Sequence, residues 1–382
     1  MFTHTDLHVP EPKFDSELTK LIVRLDHLRS QRIGGTTPAH IFFQLKDIFH
    51  LLESIGSTRI EGNHTTILEY IETKISPDEH PSEDIREIQN NEAVMNFVEE
   101  NSSKNPINHA FIREVQKMIV KDLSSKKEGD VAPGQYRRHN VAISHSQHTP
   151  PDHTQVQGYM DELVDFINAE NDPQYDLLKT AIVHHRFAWI HPFGNGNGRT
   201  VRALTYAMLI RQGFNLEKGR LINPTAVFCA DRNKYYTMLE KADTGADVDV
   251  LAWCEYVLEG LDREIANVNR LTDYAYLKDS ILKVAVDISL ERKLITDREQ
   301  KVLMIAIGKQ LFQASDISHL FPNVAHTEIS RFIRGMKEKK LIRPISPVAR
   351  KYTIEIANGY LLRGIMKALD RNDFLPLKNE VE

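Results

Sequence analysis

From Leu18 onward, apolar residues return every three or four positions, the spacing that gathers them on one face of an α-helix. The pattern predicts helices in SELTKLIVRLDHL and in PAHIFFQLKDIFHLLESI, where Phe42, Leu45, Ile48, Leu52 and Ile55 share a face. Two Thr-x-x-Glu pairs follow, Thr58 with Glu61 and Thr66 with Glu69, and each reads as a capping box, the second opening ILEYIETKI. Further helices are expected at 84–100 and 108–123, in VQGYMDELVDFIN, and in YDLLKTAIVHHRFAWI with Leu178, Ile182, His185 and Trp189 in register. VRALTYAMLIRQ reads as a buried helix, and PTAVFCADRNKYYTMLEKA and DVDVLAWCEYVLEGLDREI as two more.

Two stretches break this texture. In GDVAPGQYRRHNVAISHSQHTPP, Pro133 and Gly134 punctuate the chain and VAIS is β-prone, which predicts a small hairpin or flap. From about Lys283 come three short helical runs, TDREQKVLMIAIGK, SDISHLF and HTEISRFIRGMKEKKLI, and then RPISPVARKYTIEI, whose Tyr352, Ile354 and Ile356 alternate as in a strand. Three helices and a β-wing suggest a winged helix-turn-helix module. The expected fold class is therefore mainly α, divided into an N-terminal helical region (1–107), a helical core with a β-hairpin flap (108–265), and a helical linker with a winged-helix domain (266–382).

Composition changes this picture little. The 382 residues are 41% hydrophobic and 26% charged, enough for two or three cores, and the formal net charge of −5 argues against wholesale nucleic-acid binding. The two cysteines, Cys229 and Cys254, form no disulfide framework and no paired metal knuckle. The opening MFTHTDLHVPEPKF has no apolar signal-peptide core, and no run approaches the roughly 20 apolar residues that span a bilayer, so no membrane role and a cytoplasmic location are expected.

The chemistry concentrates in HPFGNGNGRTVR, residues 191–202. It is neither a Walker loop nor a Rossmann fingerprint, because there is no GxxxxGK[ST] and no strand before Gly194, Gly196 and Gly198. The loop does open a helix, whose unpaired N–H groups and partial positive charge suit a phosphate at Gly196, Asn197 and Gly198. Arg199 and Arg202 stand three apart in the first turn, against the helix dipole unless something negative lies beside them, and forked guanidinium pairs take phosphate oxygens well. His191, on a rigid His-Pro step, is a candidate general base. The histidines His139, His145, His148, His153, His184 and His185 match no metal-ligand spacing and read as a solvated, His-rich surface.

HPFGNGNGRTVR resembles the Fic signature, HPFx[D/E/N]GNGRxxR, at each defining position. GQYRRHNVAIS is similar to that family's flap and RNKYYTMLEKAD to its adenine-side helix, so the resemblance spans roughly residues 108–260. It implies transfer of AMP from ATP to a Ser, Thr or Tyr hydroxyl of a target protein, with His191 as base. Gly196, Asn197 and Gly198 would hold the α- and β-phosphates, within an ATP site running from Arg199 through Thr200 and Val201 to Arg202. Arg199 and Arg202 would neutralise the triphosphate, Arg202 at the γ end. Tyr235, Tyr236 and Asp243 would line the base and ribose side, although one tyrosine of an adjacent helical pair is as well read as core. Val141, Ala142, Ile143 and Ser144 would form the flap strand that docks the target's backbone, or a plain structural hairpin. Mg²⁺ would bridge the phosphates, and Asn195, where the family often has an acid, would be a weak, uncharged metal ligand or an αL turn residue. Self-modification and a homodimer are compatible with the resemblance.

STRIEGN, residues 57–63, resembles the family's inhibitory motif [S/T]xxxE[G/N], with Ser57, Glu61 and Gly62 at its fixed positions. The resemblance implies that Glu61 pairs with Arg202 and so removes the γ-phosphate partner. In the C-terminal module, HTEISRFIRGMKEKK offers Ile329, Phe332, Ile333 and Met336 to a core and Arg331, Arg334, Lys337, Lys339 and Lys340 to solvent. Such a helix suits DNA or protein docking, of which docking is favoured. Two rival functions stand beside AMP transfer: a DNA-binding regulator whose core senses nucleotide, and a variant that moves another phosphate-containing group or removes AMP.

Overall fold

The protein's computed structural model describes residues 6–30, 35–76, 79–143, 146–214, 224–346, 350–357 and 359–375. It divides into two compact units, one of residues 1–33, 53–64 and 81–266, the other of residues 34–52, 65–80 and 267–382. Among the described residues no helix is long and apolar enough to cross a membrane.

The first unit holds α1 (Glu17–Ser30), the end of α2 (Ala39–Glu61), α4 (Glu83–Asn101), α5 (His109–Ile119), α6 (Val156–Asn168), α7 (Asp176–Ile190) and α8 (Asn197–Arg211). These are followed by α9 (Pro224–Cys229), α10 (Arg232–Ala242) and most of α11 (Asp247–Asn269). Helix α8 is central: it packs on α4, α5, α7 and α9 and is buried along nearly its whole length, with the polar Arg199, Thr200, Arg202 and Thr205 buried among its apolar residues. Asn108 starts α5 by accepting the Phe111 N–H, and Asp231 starts α10 by accepting that of Lys234. That cap at Asp231 divides the single helix expected over 224–242 into α9 and α10.

The second unit carries the first part of α2, α3 (Ile67–Ile75), α12 (Tyr274–Tyr276) and α13 (Lys283–Glu291), the last two joined through a π-helical stretch, Leu277–Leu282. Then come α14 (Asp297–Lys309), α15 (Ala314–Ile317), α16 (His326–Glu338), the antiparallel pair β1 (Ile342–Pro344) and β2 (Tyr352–Ile354), and α17 (Leu362–Arg371). Capping boxes at Thr66–Glu69 and Thr296–Glu299 open α3 and α14. Ile329, Ile333 and Met336 of α16 are buried, while Arg331, Arg334 and Lys337 lie in solvent.

Two local expectations are corrected. Thr58 is no N-cap: α2 continues unbroken to Glu61, and the buried Thr58 hydroxyl donates back to the Ile55 carbonyl at 3.0 Å. The flap residues Val141, Ala142 and Ile143 form no strand, having no strand partner among the described residues. Ser144 lies outside the described residues.

Candidate active site

Helix α7 gives way to α8 through residues 191–196, a loop pinned by its surroundings. His191 closes α7 in the left-handed region (φ 50°, ψ 60°), a strained conformation for a residue with a Cβ, kept only where contacts enforce it. Arg137 enforces it. Its Nε donates to the His191 carbonyl (2.9 Å), its Nη2 to those of Ile190 (3.3 Å) and Pro151 (2.6 Å), and its backbone N–H to Pro192 (2.8 Å). Phe193 is fully buried against Tyr136 and Phe187. Asn197 braces it in both directions, accepting the Phe193 N–H at 2.9 Å and donating to its carbonyl at 3.0 Å. Gly196 takes φ 77°, and no side chain caps α8, which leaves the helix start to line a cavity of about 560 Å³.

His191 stands at that cavity, and its Nδ1–H points to the Ala188 carbonyl at 3.4 Å, which leaves the Nε2 lone pair for a proton. Burial lowers its pKa to about 4 against the raising influence of Ala188 and Glu61, so the ring is neutral at physiological pH. At the cavity's other side, the Arg202 side chain is only 2% exposed and Nη2 meets Glu61 Oε1 at 2.6 Å. Ser57 completes the grip, its hydroxyl accepting from Arg202 Nε at 2.9 Å and its carbonyl from Nη2 at 2.8 Å. Burial alone would raise the Glu61 carboxyl, but the charges of Arg202 and Arg199 and the direct hydrogen bond leave it lowered and therefore ionised. Glu61 lies so close over α8 that a Cβ on Gly198 would overlap its Oε1, so the carboxylate occupies the place an anion would take at this helix start.

Arg199 goes elsewhere than expected. Its Nη1 binds Glu87 (2.6 Å) and its Nη2 binds Glu128 (2.7 Å), with the side chain 1% exposed and away from the cavity wall. Asn63, just after Gly62, donates to Glu87 Oε2 at 2.8 Å and to the Asp84 carbonyl at 2.9 Å. Thr200 is buried, its hydroxyl spent on the Gly196 carbonyl, while Val201 does line the cavity. Of the tyrosine pair, Tyr236 is 38% exposed at the cavity, whereas Tyr235 is nearly buried with its hydroxyl on His184 at 2.9 Å. Asp243 lines the far end, where its Oδ1 accepts from His185 at 2.9 Å. His148 joins them there rather than in solvent, stacked on Trp189 and donating from Nε2 to the Trp189 carbonyl at 2.8 Å.

Comparison with known proteins places a family likeness on part of the chain. Residues 106–209 match the family model described as Fic/DOC family. The chain carries a Fic/DOC domain. The Fic domain has relatives among curated proteins: it is 27% identical over 205 residues to the "Protein adenylyltransferase Fic" of Drosophila willistoni, covering 51% of this chain and 37% of that protein. A second, from Culex quinquefasciatus, is 27% identical over 228 residues, covering 57% and 41%. The chain thus spans about two fifths of the length of these relatives. Among solved structures, a Fic family protein from Desulfovibrio desulfuricans G20 superposes with a TM-score of 0.56 at 20% identity, covering 91% of this chain and 98% of that one. A Fic domain protein from Bacteroides thetaiotaomicron gives 0.53 at 19%, covering 66% and 97%. These likenesses share the helical fold of the Fic domain.

Several residues that shape the Fic site went unread in the sequence. Lys127, Glu128 and Arg232 line the cavity, and Arg137, Gln116 and Asp130 hold the loop, Gln116 Nε2 donating to Asp130 (2.9 Å) and to the Asn195 carbonyl (3.0 Å). Arg137 and Arg232 lie inside the stretches read as flap and adenine-side helix without standing out there, and the other four sit in no patterned motif, so long-range contacts reveal them. Asn195 does not fit a metal-ligand role in this arrangement. Its amide oxygen accepts the Gly196 N–H at 2.6 Å, and its Nδ2 donates to the carbonyls of Lys127 (2.8 Å) and Gly129 (3.2 Å). Nor is it a left-handed turn residue, a conformation that falls to His191 and Gly196. Asn195 instead staples the 124–130 loop to the signature.

Proposed function

We propose that this protein transfers AMP from ATP to a hydroxyl of a target protein, restrained by Glu61. The observation that carries the reading is the cavity in which a neutral His191, an uncapped helix start and a buried Arg202 converge, with Glu61 lying where an anion belongs. The names of the curated relatives agree with it. In this reading the acceptor hydroxyl gives its proton to His191 Nε2 and its oxygen bonds to the α-phosphorus of ATP. The bond from that phosphorus to the bridging oxygen of the β-phosphate breaks, and pyrophosphate leaves. The start of α8 and Arg202 supply positive charge where the transferring group and leaving group need it, which is most of what such a reaction asks of a protein.

The restraint is competitive. Glu61 and the terminal phosphate of ATP seek the same guanidinium, and a charge-assisted hydrogen bond contributes about 1.5–3 kcal/mol, or roughly ten- to a hundredfold in affinity. Arg199 serves the same restraint indirectly, because Glu87 ties it to Asn63 at the end of the inhibitory helix. The flap segment, with Ala142 and Ile143 at the cavity, supports target docking by strand addition. In the C-terminal unit, α14 to α16 followed by β1 and β2 support a winged helix-turn-helix module whose basic α16 face docks a protein. A gel shift in which duplex DNA binds with an affinity that falls steeply with salt would overturn docking in favour of a regulator.

The test is incubation of Glu61→Gly protein with labelled ATP and cell lysate, followed by mass spectrometry of the labelled protein. An adduct of the mass of AMP, absent when His191→Ala is added, is expected. An adduct of another phosphate-containing group, or labelling that survives His191→Ala, would overturn the reading.

A further inference from the structure

Helix α7 ends in a way that the residues following it cannot finish. The last four carbonyls of a helix, here those of residues 187–190, have no partner inside it, and the chain beyond commonly turns back to supply donors. His191 does so once, its N–H donating to the Phe187 carbonyl at 3.0 Å. Pro192 has no N–H, and that of Phe193 is spent on Asn197 Oδ1 at 2.9 Å. Side chains take the remaining carbonyls. The ring of the base takes Ala188 through Nδ1 at 3.4 Å, and the flap stretch takes the rest: His148 Nε2 donates to Trp189 at 2.8 Å and Arg137 Nη2 to Ile190 at 3.3 Å.

Arg137 carries most of this contact. Only 4% exposed, it also reaches the His191 carbonyl with Nε at 2.9 Å, while its backbone N–H donates to Pro192 at 2.8 Å. The same guanidinium holds the flap at both roots, Nη1 on the His139 carbonyl at 3.0 Å and Nη2 on that of Pro151 at 2.6 Å. Just beside them Asn140 closes the neck again, its Nδ2 donating to Asp152 at 3.0 Å and its Oδ1 accepting the His153 N–H at 2.8 Å. Val141–Ile143 have no strand partner among the described residues, so the neck and His148 fix the segment in place of a ladder. The positive charge of Arg137 stands at a helix C-terminus, where the dipole favours it, and adds to burial in keeping His191 neutral.

From this shared grip we infer that Arg137 is the positioning residue that joins the flap to the base as one piece, so that a target seated on the flap presents its hydroxyl to His191 at a fixed distance. Arg137 does not line the cavity and acts only through the backbone groups it holds. Its planar fork suits carbonyls that converge from two directions, which a lysine ammonium on one flexible stem cannot span. A flap that moved apart from the base would bring a docked hydroxyl to varying distances from Nε2. Misplacement by about 1 Å costs roughly a hundredfold in rate.

This inference rests on the reading of His191 as the base of AMP transfer and of the flap as the docking segment. In the Glu61→Gly protein, Arg137→Met is compared with the unsubstituted Arg137. Hydrogen–deuterium exchange should rise together in peptides covering 138–151 and 188–192 and stay unchanged in α8. A rise in one of the two segments alone, or throughout the core, overturns the inference. Calorimetry should show the same ATP affinity, because Arg137 holds neither Arg202 nor the start of α8, while the initial rate of AMP incorporation by intact mass falls about a hundredfold. An unchanged rate, or a rate and an ATP affinity that fall together, overturns it as well. Should Arg137→Met fail to fold, Arg137→Lys decides. Lysine keeps the charge without the fork, so incorporation should fall at least about tenfold at unchanged ATP affinity; a rate equal to that of the Glu61→Gly protein overturns the inference. A Glu61→Gly protein that binds ATP and transfers nothing would sink the transfer reading, and the exchange pattern would still decide whether Arg137 joins flap and base.

Discussion

At the scale of single residues, proton acceptance by His191 requires a neutral ring. Burial brings its pKa to about 4, and Glu61 is among the groups that hold it up, so removing Glu61 lowers it further. A base whose pKa is depressed stays competent as pH falls. The rate kcat/KM of Glu61→Gly protein should therefore stay flat between pH 8 and about 5.5, whereas an acid limb near the unperturbed value of about 6.5 would contradict the environment described. The twelve-residue signature made the base, the helix start and Arg202 legible in the sequence, because glycines and arginines at a helix entrance have few other uses. It did not show that Arg199 turns to Glu87 and Glu128, or that Asn195 spends its Nδ2 on the carbonyls of Lys127 and Gly129, since these partners lie 66 or more residues away in the chain. Adjacent tyrosines diverge on a helix, which is why Tyr235 is buried with its hydroxyl on His184 while Tyr236 is partly exposed, although both reach the cavity.

At the scale of elements, the end of α2 is held twice, by Glu61 on Arg202 and by Asn63 on Glu87 and Asp84. If both attachments keep the helix seated, Asn63→Ala should raise auto-transfer severalfold over the parent, less than Glu61→Gly does, and should add nothing in the Glu61→Gly background. Initial rates with labelled ATP check this, and a rate equal to the parent's would confine the restraint to Glu61. Helix periodicity predicted most of these elements, from α1 to α11, because their buried faces repeat at the helical period. It failed where side-chain capping or strand partnership decides. Asp231 divides a helix that periodicity would run through, Thr58 sits inside a helix that its capping motif would start, and Val141–Ile143 forms no strand.

At the scale of the whole molecule, helix α2 carries a buried acid whose ionisation bears on stability. Glu53 accepts the Thr225 N–H at 3.0 and 3.2 Å and the Thr225 hydroxyl, and burial raises its pKa to about 7. Because the folded pKa lies above the unfolded one, its stabilising contribution is complete below about pH 4.5 and is lost as pH rises through about 7. Denaturant unfolding at pH 5 and pH 8 should show the parent losing up to about 3 kcal/mol more than Glu53→Gln between the two, and equal losses would contradict a buried, protonated Glu53. The central claim is that an AMP-transferring site is present and is held back by one carboxylate on one arginine. The most direct measurement compares, by intact mass, the initial rates at which parent and Glu61→Gly protein acquire AMP from ATP. A rate at least about tenfold higher for Glu61→Gly is the prediction, in line with one charge-assisted contact released. No AMP adduct on either protein, or equal rates on both, would contradict it.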